Sequence, residues 1–403
     1  MVDKRLTFLI SNLDGLFGRI SNVATQQQQK VRCIVHYFTR LSQAIPRGMI
    51  SFERKVLHRQ LQGIFPPIPG CDKHYWKNSS SSFCSIRIFD DGLIENQRSN
   101  ALEVDFANRF LGGGVLRKGC VQEEIRFVIS PELIAGMLFM PAMQADEAIE
   151  IRGVERFSCH TGYSSSFRFA GDYLDTKQRD SQGRLETRII AMDALRHPGQ
   201  RQYEEALLLR ETNKAFCGFL NQKLTCLPNQ VLTDVSRSPY LELQDHEVAE
   251  GNSLHLDENK DHAAFSADIT NTRSDNENTT VIKQLHNVHL NSDTFSESEI
   301  AMGIATGNWG CGAFGGDVEL KSLLQWMAAS QAGRPFLHYF TFGSPHGKML
   351  QKVSDIIIKE RWLVGDVWKL LVEYGQNRLQ RMHKKELFEW ILPRLVKGNA
   401  SKA

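Results

Sequence analysis

A chain of 403 residues, 41% of them hydrophobic, can bury one large core or two modest ones. Its 48 Lys+Arg against 46 Asp+Glu leave a formal charge of +2, which excludes a global basic field holding long nucleic acid by counterion release; a polyanion needs a local patch. The eight cysteines include no Cys-x-x-Cys pair and no nearby His at zinc-ligand spacing, so they read as free thiols in a reducing compartment rather than a metal site.

Leu6, Leu9, Ile10, Leu13, Phe17 and Ile20 recur at helical spacing, as do Val31, Ile34, Val35, Phe38 and Leu41. The chain is therefore predicted to open with amphipathic helices whose apolar residues form packing surface. Residues 70–82 turn polar and Ser-rich and read as a loop, and 83–89 is a predicted strand ending in a turn at Asp90, Asp91 and Gly92. Further strands are predicted over 101–106, 125–129, 149–154, 188–192 and 336–342, and helices over 202–216 and 320–332. Ser130 and Pro131 supply a cap and a first-turn proline for another helix. This alternation predicts an α/β fold with a mixed or mostly parallel sheet covered on both faces. From Asn221 to about Glu299, polar and acidic residues dominate and apolar ones are too sparse for a core, so 221–299 reads as a disordered or loosely folded insertion. Val353, Ile356, Ile357, Val367, Leu370, Leu371 and Tyr374 return to helical spacing. The expected organisation is a helical region over 1–69, a core over 70–220 and 300–385, the insertion, and a C-terminal tail over 386–403.

The sharpest segment runs from Val104 to the glycines Gly112, Gly113 and Gly114, followed after a spacer by Gln122, Glu123 and Glu124. Three glycines beside a strand end let backbone approach a ligand closely, as a sugar or phosphate requires. Two consecutive carboxylates cannot share one face of a strand, so an irregular turn is expected over 122–124. A Glu-Glu pair taken alone reads as solvated surface. Here the glycines before it and the apolar run after it put the acids at the mouth of the core, where raised pKa values suit a general acid and base.

A second glycine-rich run comprises Gly307, Asn308, Trp309, Gly310, Cys311, Gly312, Ala313, Phe314 and Gly315, leading into a helical pattern. Its backbone N–H groups, with the helix N-terminus, suit a diphosphate. The span 310–315 fits G-x-G-x-x-G, but no ribose-binding acid stands at the expected distance, and no Lys-Ser or Lys-Thr follows to make a Walker loop. Tyr163 and Phe342, each beside a glycine, are candidates for stacking on adenine, whereas Tyr339 and Phe340 read as core. His160, His197 and His338 form no nucleophile elbow or metal pair and read as structural or exposed.

In order and content these pieces resemble the poly(ADP-ribose) glycohydrolase family of animals and plants. The family's hallmark, three glycines, a spacer and Gln-Glu-Glu, stands intact at Gly112, Gly113, Gly114, Gln122, Glu123 and Glu124. The resemblance extends through 104–110, 161–163, 213–219, 306–317, 340–343 and 364–371, most of 70–374 apart from the insertion. It implies a macrodomain-like mixed sheet flanked by helices, with an N-terminal helical accessory region, that binds the terminal ADP-ribose of poly(ADP-ribose). Glu124 would be the essential acid/base, Glu123 would hold the ribose hydroxyls, and Asp105 and Asn108 would orient the site. The glycines and Gln122 would meet the sugar, the loop from Gly307 to Gly315 would wrap the diphosphate, and Tyr163 and Phe342 would flank the adenine. No cofactor and no metal is implied. The expected partner is poly(ADP-ribose) on modified proteins, acted on by a monomer, with no duplex nucleic acid and no membrane. Relative to the family the N-terminal helical part looks short and the insertion long.

The 1″→2′ glycosidic bond breaks through an oxocarbenium-like state, so Glu124 can protonate the leaving ribose oxygen and then activate water. Three rival readings remain: a catalytically silent ADP-ribose reader, a nicotinamide-dependent oxidoreductase using 310–315, and a scaffold. Both glutamates argue against the first, the lack of hydride-transfer residues against the second, and the two glycine loops against the third. No apolar run is long enough to span a membrane and no secretory layout stands at the N-terminus, so residence in the nucleus, the cytoplasm or both is expected.

Overall fold

The computed structural model describes residues 25–57, 71–97, 99–221, 302–382 and 384–397. The first expected helix and all of the expected insertion beyond Asn221 lie outside them. In chain order the main elements are α1 (Thr25–Gln43), β1 (Ser51–Val56), α2 (Lys73–Lys77), β2 (Ser85–Phe89), β3 (Ala101–Asp105) and α3 (Gln122–Ile129). Then come β4 (Glu147–Gly153), β5 (Ser158–Thr161), β6 (Arg168–Asp172), β7 (Leu185–Ala191), α4 (Glu205–Phe219) and β8 (Gly303–Gly307). The chain continues through α5 (Val318–Gln331), β9 (Phe336–Phe340), α6 (Gly347–Lys359), α7 (Val364–Leu379) and α8 (Leu387–Lys397).

Seven strands form one sheet in the order β1-β4-β7-β3-β8-β9-β2, and β5 and β6 pair separately. From β7 to β2 all neighbours are parallel, while β4 joins β7 and β1 joins β4 antiparallel. Side chains alternate across the sheet, as a pleated strand requires. Ile189 and Ala191 of β7 enter the core beneath α3, whereas Ile190 between them enters the larger core with α4, α5, α7 and α8. The mixed sheet covered on both faces, expected from the pattern, is thus the observed architecture. Because five strands run parallel, their C-terminal ends share one edge, and the loops after β2, β3, β7, β8 and β9 gather there, where open α/β sheets bind ligands.

Three expectations are corrected. Residues 125–129 are not a strand but the body of α3, and every residue of Glu123–Ile129 is buried. A short run buried on all sides has no polar face, so periodicity cannot separate strand from helix there. Residues 1–69 are not wholly helical: β1 adds an antiparallel edge strand, with Lys55 buried and donating to Gly218 O at 2.7 Å and Leu220 O at 2.6 Å. Residues 386–403 are not simply a tail, since α8 buries Leu387, Phe388, Trp390, Ile391 and Leu395, and Trp390 packs on Tyr374 with ring centroids 5.4 Å apart.

Candidate active site

Three consecutive side chains opening α3 reach back to the loop that follows β3. Gln122 bridges the strand end, its Oε1 accepting from Phe106 N at 2.8 Å while its Nε2 donates to Val104 O at 3.1 Å. Glu123 accepts from Asn108 N at 2.9 Å and Gly112 N at 2.7 Å. Glu124 accepts from Gly114 N at 2.8 Å and, as the third helical residue, from Val121 N at 2.9 Å. The irregular turn expected over 122–124 is therefore the first turn of a helix, whose positive end favours carboxylates. The glycines are dictated by contact: Gly113 has φ +49°, and a Cβ there would lie 2.5 Å from Glu123 Oε2 and 2.7 Å from Glu124 Oε1. Gly119, which the sequence did not single out, is equally constrained, since a Cβ would lie 2.6 Å from Glu124 Oε1.

Asp105 at the end of β3 is 1% exposed, and among the described residues neither carboxyl oxygen has a hydrogen-bond partner. Burial, followed by the charge of Glu124, pushes its pKa up to about 8 against the partial relief of Arg126. Burial, with Asp105 and Glu124 as neighbours, likewise raises Glu123 well above the carboxylate range. At neutral pH Asp105 therefore holds its proton. In the unfolded chain a carboxyl ionises near about pH 4, so between there and about 8 the folded state holds an Asp105 proton that the unfolded state has lost. This contribution to stability is complete below that window and is lost as pH rises through it. Asp105→Asn is expected to flatten the decline of Tm between those limits. Thermal scans that decline in parallel for both proteins would contradict the assignment.

A cavity of about 470 Å³ opens beside this acid cluster. Gln122, Tyr163, Phe342 and the run from Gly307 to Phe314 line it, whereas Asp105, Asn108, Gly112, Gly113, Gly114, Glu123, Glu124 and Gly315 do not. Glu124 is 6% exposed, behind a wall formed by its neighbours Val121, Gln122 and Ile125. Tyr163 links the two regions, for its half-buried phenol is hydrogen-bonded at the Gln122 backbone and feels the charge of Glu124. The Tyr163 and Phe342 rings lie 5.2 Å apart and touch each other. Admitting a base between two rings needs their planes about 7 Å apart, twice an ordinary contact. They thus form one continuous aromatic wall, with no slot for a base between two faces.

The second glycine loop is anchored from below. Trp309 is fully buried, its Nε1 donates to Met192 O at 2.9 Å, and Lys321 Nζ sits 3.8 Å from its ring centroid while pairing with Glu211. Asn308 is occupied in holding strand ends together, donating to Thr341 O at 2.8 Å and accepting from Tyr339 Oη at 3.1 Å. Among the described residues the backbone N–H groups of Gly312, Ala313 and Phe314 have no protein acceptor, which fits an anion. The N-terminus of α5 is not part of that cradle. Asp317 fills it, accepting from Glu319 N at 2.9 Å and Leu320 N at 3.1 Å.

Sequence reasoning missed Glu95 and treated His160 as structural; both line the cavity, with His160 Nε2 3.0 Å from Glu95 Oε1. Burial pushes Glu95 up, but the hydrogen bond from His160 and the charge of Arg126 outweigh it and draw the carboxylate down to about 2. An ionised acceptor therefore stands among the lining residues. Its flanks are ordinary turn sequence, which carries no signal of this pairing. Among the described residues no group of His, Cys, Asp and Glu could hold a metal ion.

The sequence family described as poly(ADP-ribose) glycohydrolase (PARG), Macro domain fold, matches residues 73–349, and its helical domain matches residues 3–54. The chain belongs to the poly(ADP-ribose) glycohydrolase family. It is 42% identical over 391 residues to poly(ADP-ribose) glycohydrolase 1 of Arabidopsis thaliana, covering 97% of this chain and 68% of that protein. To probable poly(ADP-ribose) glycohydrolase 2 of the same plant it is 43% identical over 385 residues, 95% of this chain and 66% of that protein. Poly(ADP-ribose) glycohydrolase 1 of Caenorhabditis elegans is 30% identical over 344 residues, 82% of this chain and 33% of that protein. The chain thus spans 66–68% of the length of the two plant relatives. Six strands of the seven-stranded sheet, β2, β3, β4, β7, β8 and β9, fall within the macro domain match of this glycosidase family, while α1 falls within the helical match, which ends inside β1.

Proposed function

We propose that this chain hydrolyses the 1″→2′ O-glycosidic bonds of poly(ADP-ribose) and releases ADP-ribose, with Glu124 as acid and base. The observation that carries the reading is the helix-borne pair Glu123 and Glu124, tied to a glycine loop beside a cavity lined by a second, anion-fitting glycine loop and an aromatic wall. A volume of about 470 Å³ falls among small-molecule sites, so one terminal unit and not a length of polymer is held. The diphosphate lies along the free N–H groups of Gly312, Ala313 and Phe314, adenine lies on Phe342 and Tyr163 within reach of Glu95, and the distal ribose turns toward Gln122 and Glu124.

In the forward step Glu124 delivers a proton to the departing 2′-oxygen as the C1″–O bond breaks, and the ionised carboxylate then takes a proton from the attacking water. Ordinary retaining glycosidases flank the sugar with carboxylates on opposite sides. Here both glutamates are held by one loop, which favours an ion-like intermediate over a covalent glycosyl–glutamate.

Product identity tests the reading. Cleavage of the glycosidic bond gives free ADP-ribose; phosphoribosyl-AMP would place the cut at the diphosphate and sink the proposal. A single occupied unit also leads us to expect that the last, protein-linked ADP-ribose stays in place, as in the family. Mass-spectrometric release of ADP-ribose from a mono-modified protein would contradict that. A silent reader draws on one observation, that the Glu124 carboxyl stands behind the cavity wall rather than on it.

A further inference from the structure

Only part of the apolar set of α1 packs inward, with Val31 and Ile34 against the core. Val35 is 57% and Phe38 61% exposed, while Gln27, Lys30 and Cys33 turn inward. Lys30 is fully buried, and its Nζ donates to three backbone carbonyls of one short loop: Val115 O at 2.7 Å, Arg117 O at 2.6 Å and Gly119 O at 2.6 Å. An ammonium group has three donors and no acceptor, so each donor meets one carbonyl.

That loop is the cradle of Glu124. Gly114, whose N–H donates to Glu124 Oε1, closes the loop by accepting from Arg117 N at 2.8 Å and Gly119 N at 3.1 Å. Gly119 then packs directly on the Glu124 carboxyl, and Val121 just beyond it donates to Glu124 Oε2. Three carbonyls turned to one interior point would repel one another and lack partners without a cation there.

We propose that Lys30 is a positioning residue for catalysis, which by gathering the carbonyls of Val115, Arg117 and Gly119 fixes the loop that aims Glu124. The inference rests on the reading of Glu124 as acid and base. It gives the helical part of the chain a defined task at the site: one side chain from α1 sets the geometry of the reacting carboxyl without touching substrate. None of the residues 108–120 lines the cavity, so the hold on ADP-ribose is separable from the hold on Glu124.

The test is steady-state hydrolysis of poly(ADP-ribose) by Lys30→Met and Lys30→Arg, with ADP-ribose affinity measured by calorimetry and Glu124→Gln alongside. Lys30→Met is expected to lose about 10- to 100-fold in kcat, the cost of a misplaced catalytic group, with ADP-ribose affinity held. Lys30→Arg keeps the charge, but its planar fork cannot direct donors at three converging carbonyls, so it is expected to fall in kcat as well. Should Lys30→Met fail to fold, Lys30→Arg decides by the same split. Wild-type kcat in a folded variant, or equal losses of kcat and of affinity, overturns the proposal. If Glu124→Gln retains activity, the acid/base reading fails and takes this inference with it; if Glu124→Gln is inactive while Lys30→Met is fully active, only the role of Lys30 falls.

Discussion

Glu124→Gln is expected to lower kcat on poly(ADP-ribose) by about 10³-fold, the middle of the range for removing a general acid and base, with little change in ADP-ribose affinity. Gln is nearly isosteric and its carbonyl can still accept from Gly114 N, but its NH2 then faces Val121 N, so one helix-capping bond is lost. That loss costs about 1 kcal/mol, a small fall in Tm that leaves the protein folded. The cavity wall does not include Glu124, which is why binding and turnover should separate. Steady-state kinetics with calorimetric titration of ADP-ribose checks this. A larger loss of kcat in Glu123→Gln than in Glu124→Gln would reverse the assigned roles.

Gly113→Val is expected to be almost as damaging. Its φ of +49° is a conformation that a β-branched residue tolerates poorly, with a strain of about 1–3 kcal/mol. The new Cβ would also stand 2.5 Å from one glutamate and 2.7 Å from the other, so both carboxylates must move. A shift of that kind is expected to reduce kcat by about 10²-fold, again with the cavity intact. The same substitution tests the fold, because among the described glycines Gly113 is the one whose Cβ would meet the carboxyls of both glutamates. Retention of wild-type kcat in Gly113→Val would mean that the loop does not hold Glu123 and Glu124 as described.

What the sequence made legible follows from what local pattern can carry. The strands near 101, 188 and 336 are short apolar runs bounded by turn residues, and the structure places strands there. The three glycines were legible as a place of close backbone approach, but what approaches Gly113 is the carboxyls of Glu123 and Glu124 rather than the cavity, a juxtaposition that their spacing in the chain does not encode. The run 125–129 was not, since complete burial erases the polar face that marks a helix. Nor was the inward edge of α1: Gln27 and Lys30 look solvent-facing by composition, and only the distant carbonyls of 115–119 make burial of Lys30 tolerable. The helix after the second glycine loop was read as lending its N-terminus to a diphosphate, but Asp317 caps it, a geometric fact that glycine spacing does not encode. Tyr163 and Phe342 were legible as lining aromatics, while their mutual contact required the loops after β5 and β9 to meet in space.

The most direct test of the account is incubation of purified wild-type protein with end-labelled poly(ADP-ribose), with bound polymer and free ADP-ribose measured in the same samples over time. The account predicts that the polymer shortens while free ADP-ribose accumulates as the product. Polymer that stays bound and intact would contradict it, and would make the cavity and its two glycine loops the apparatus of a reader.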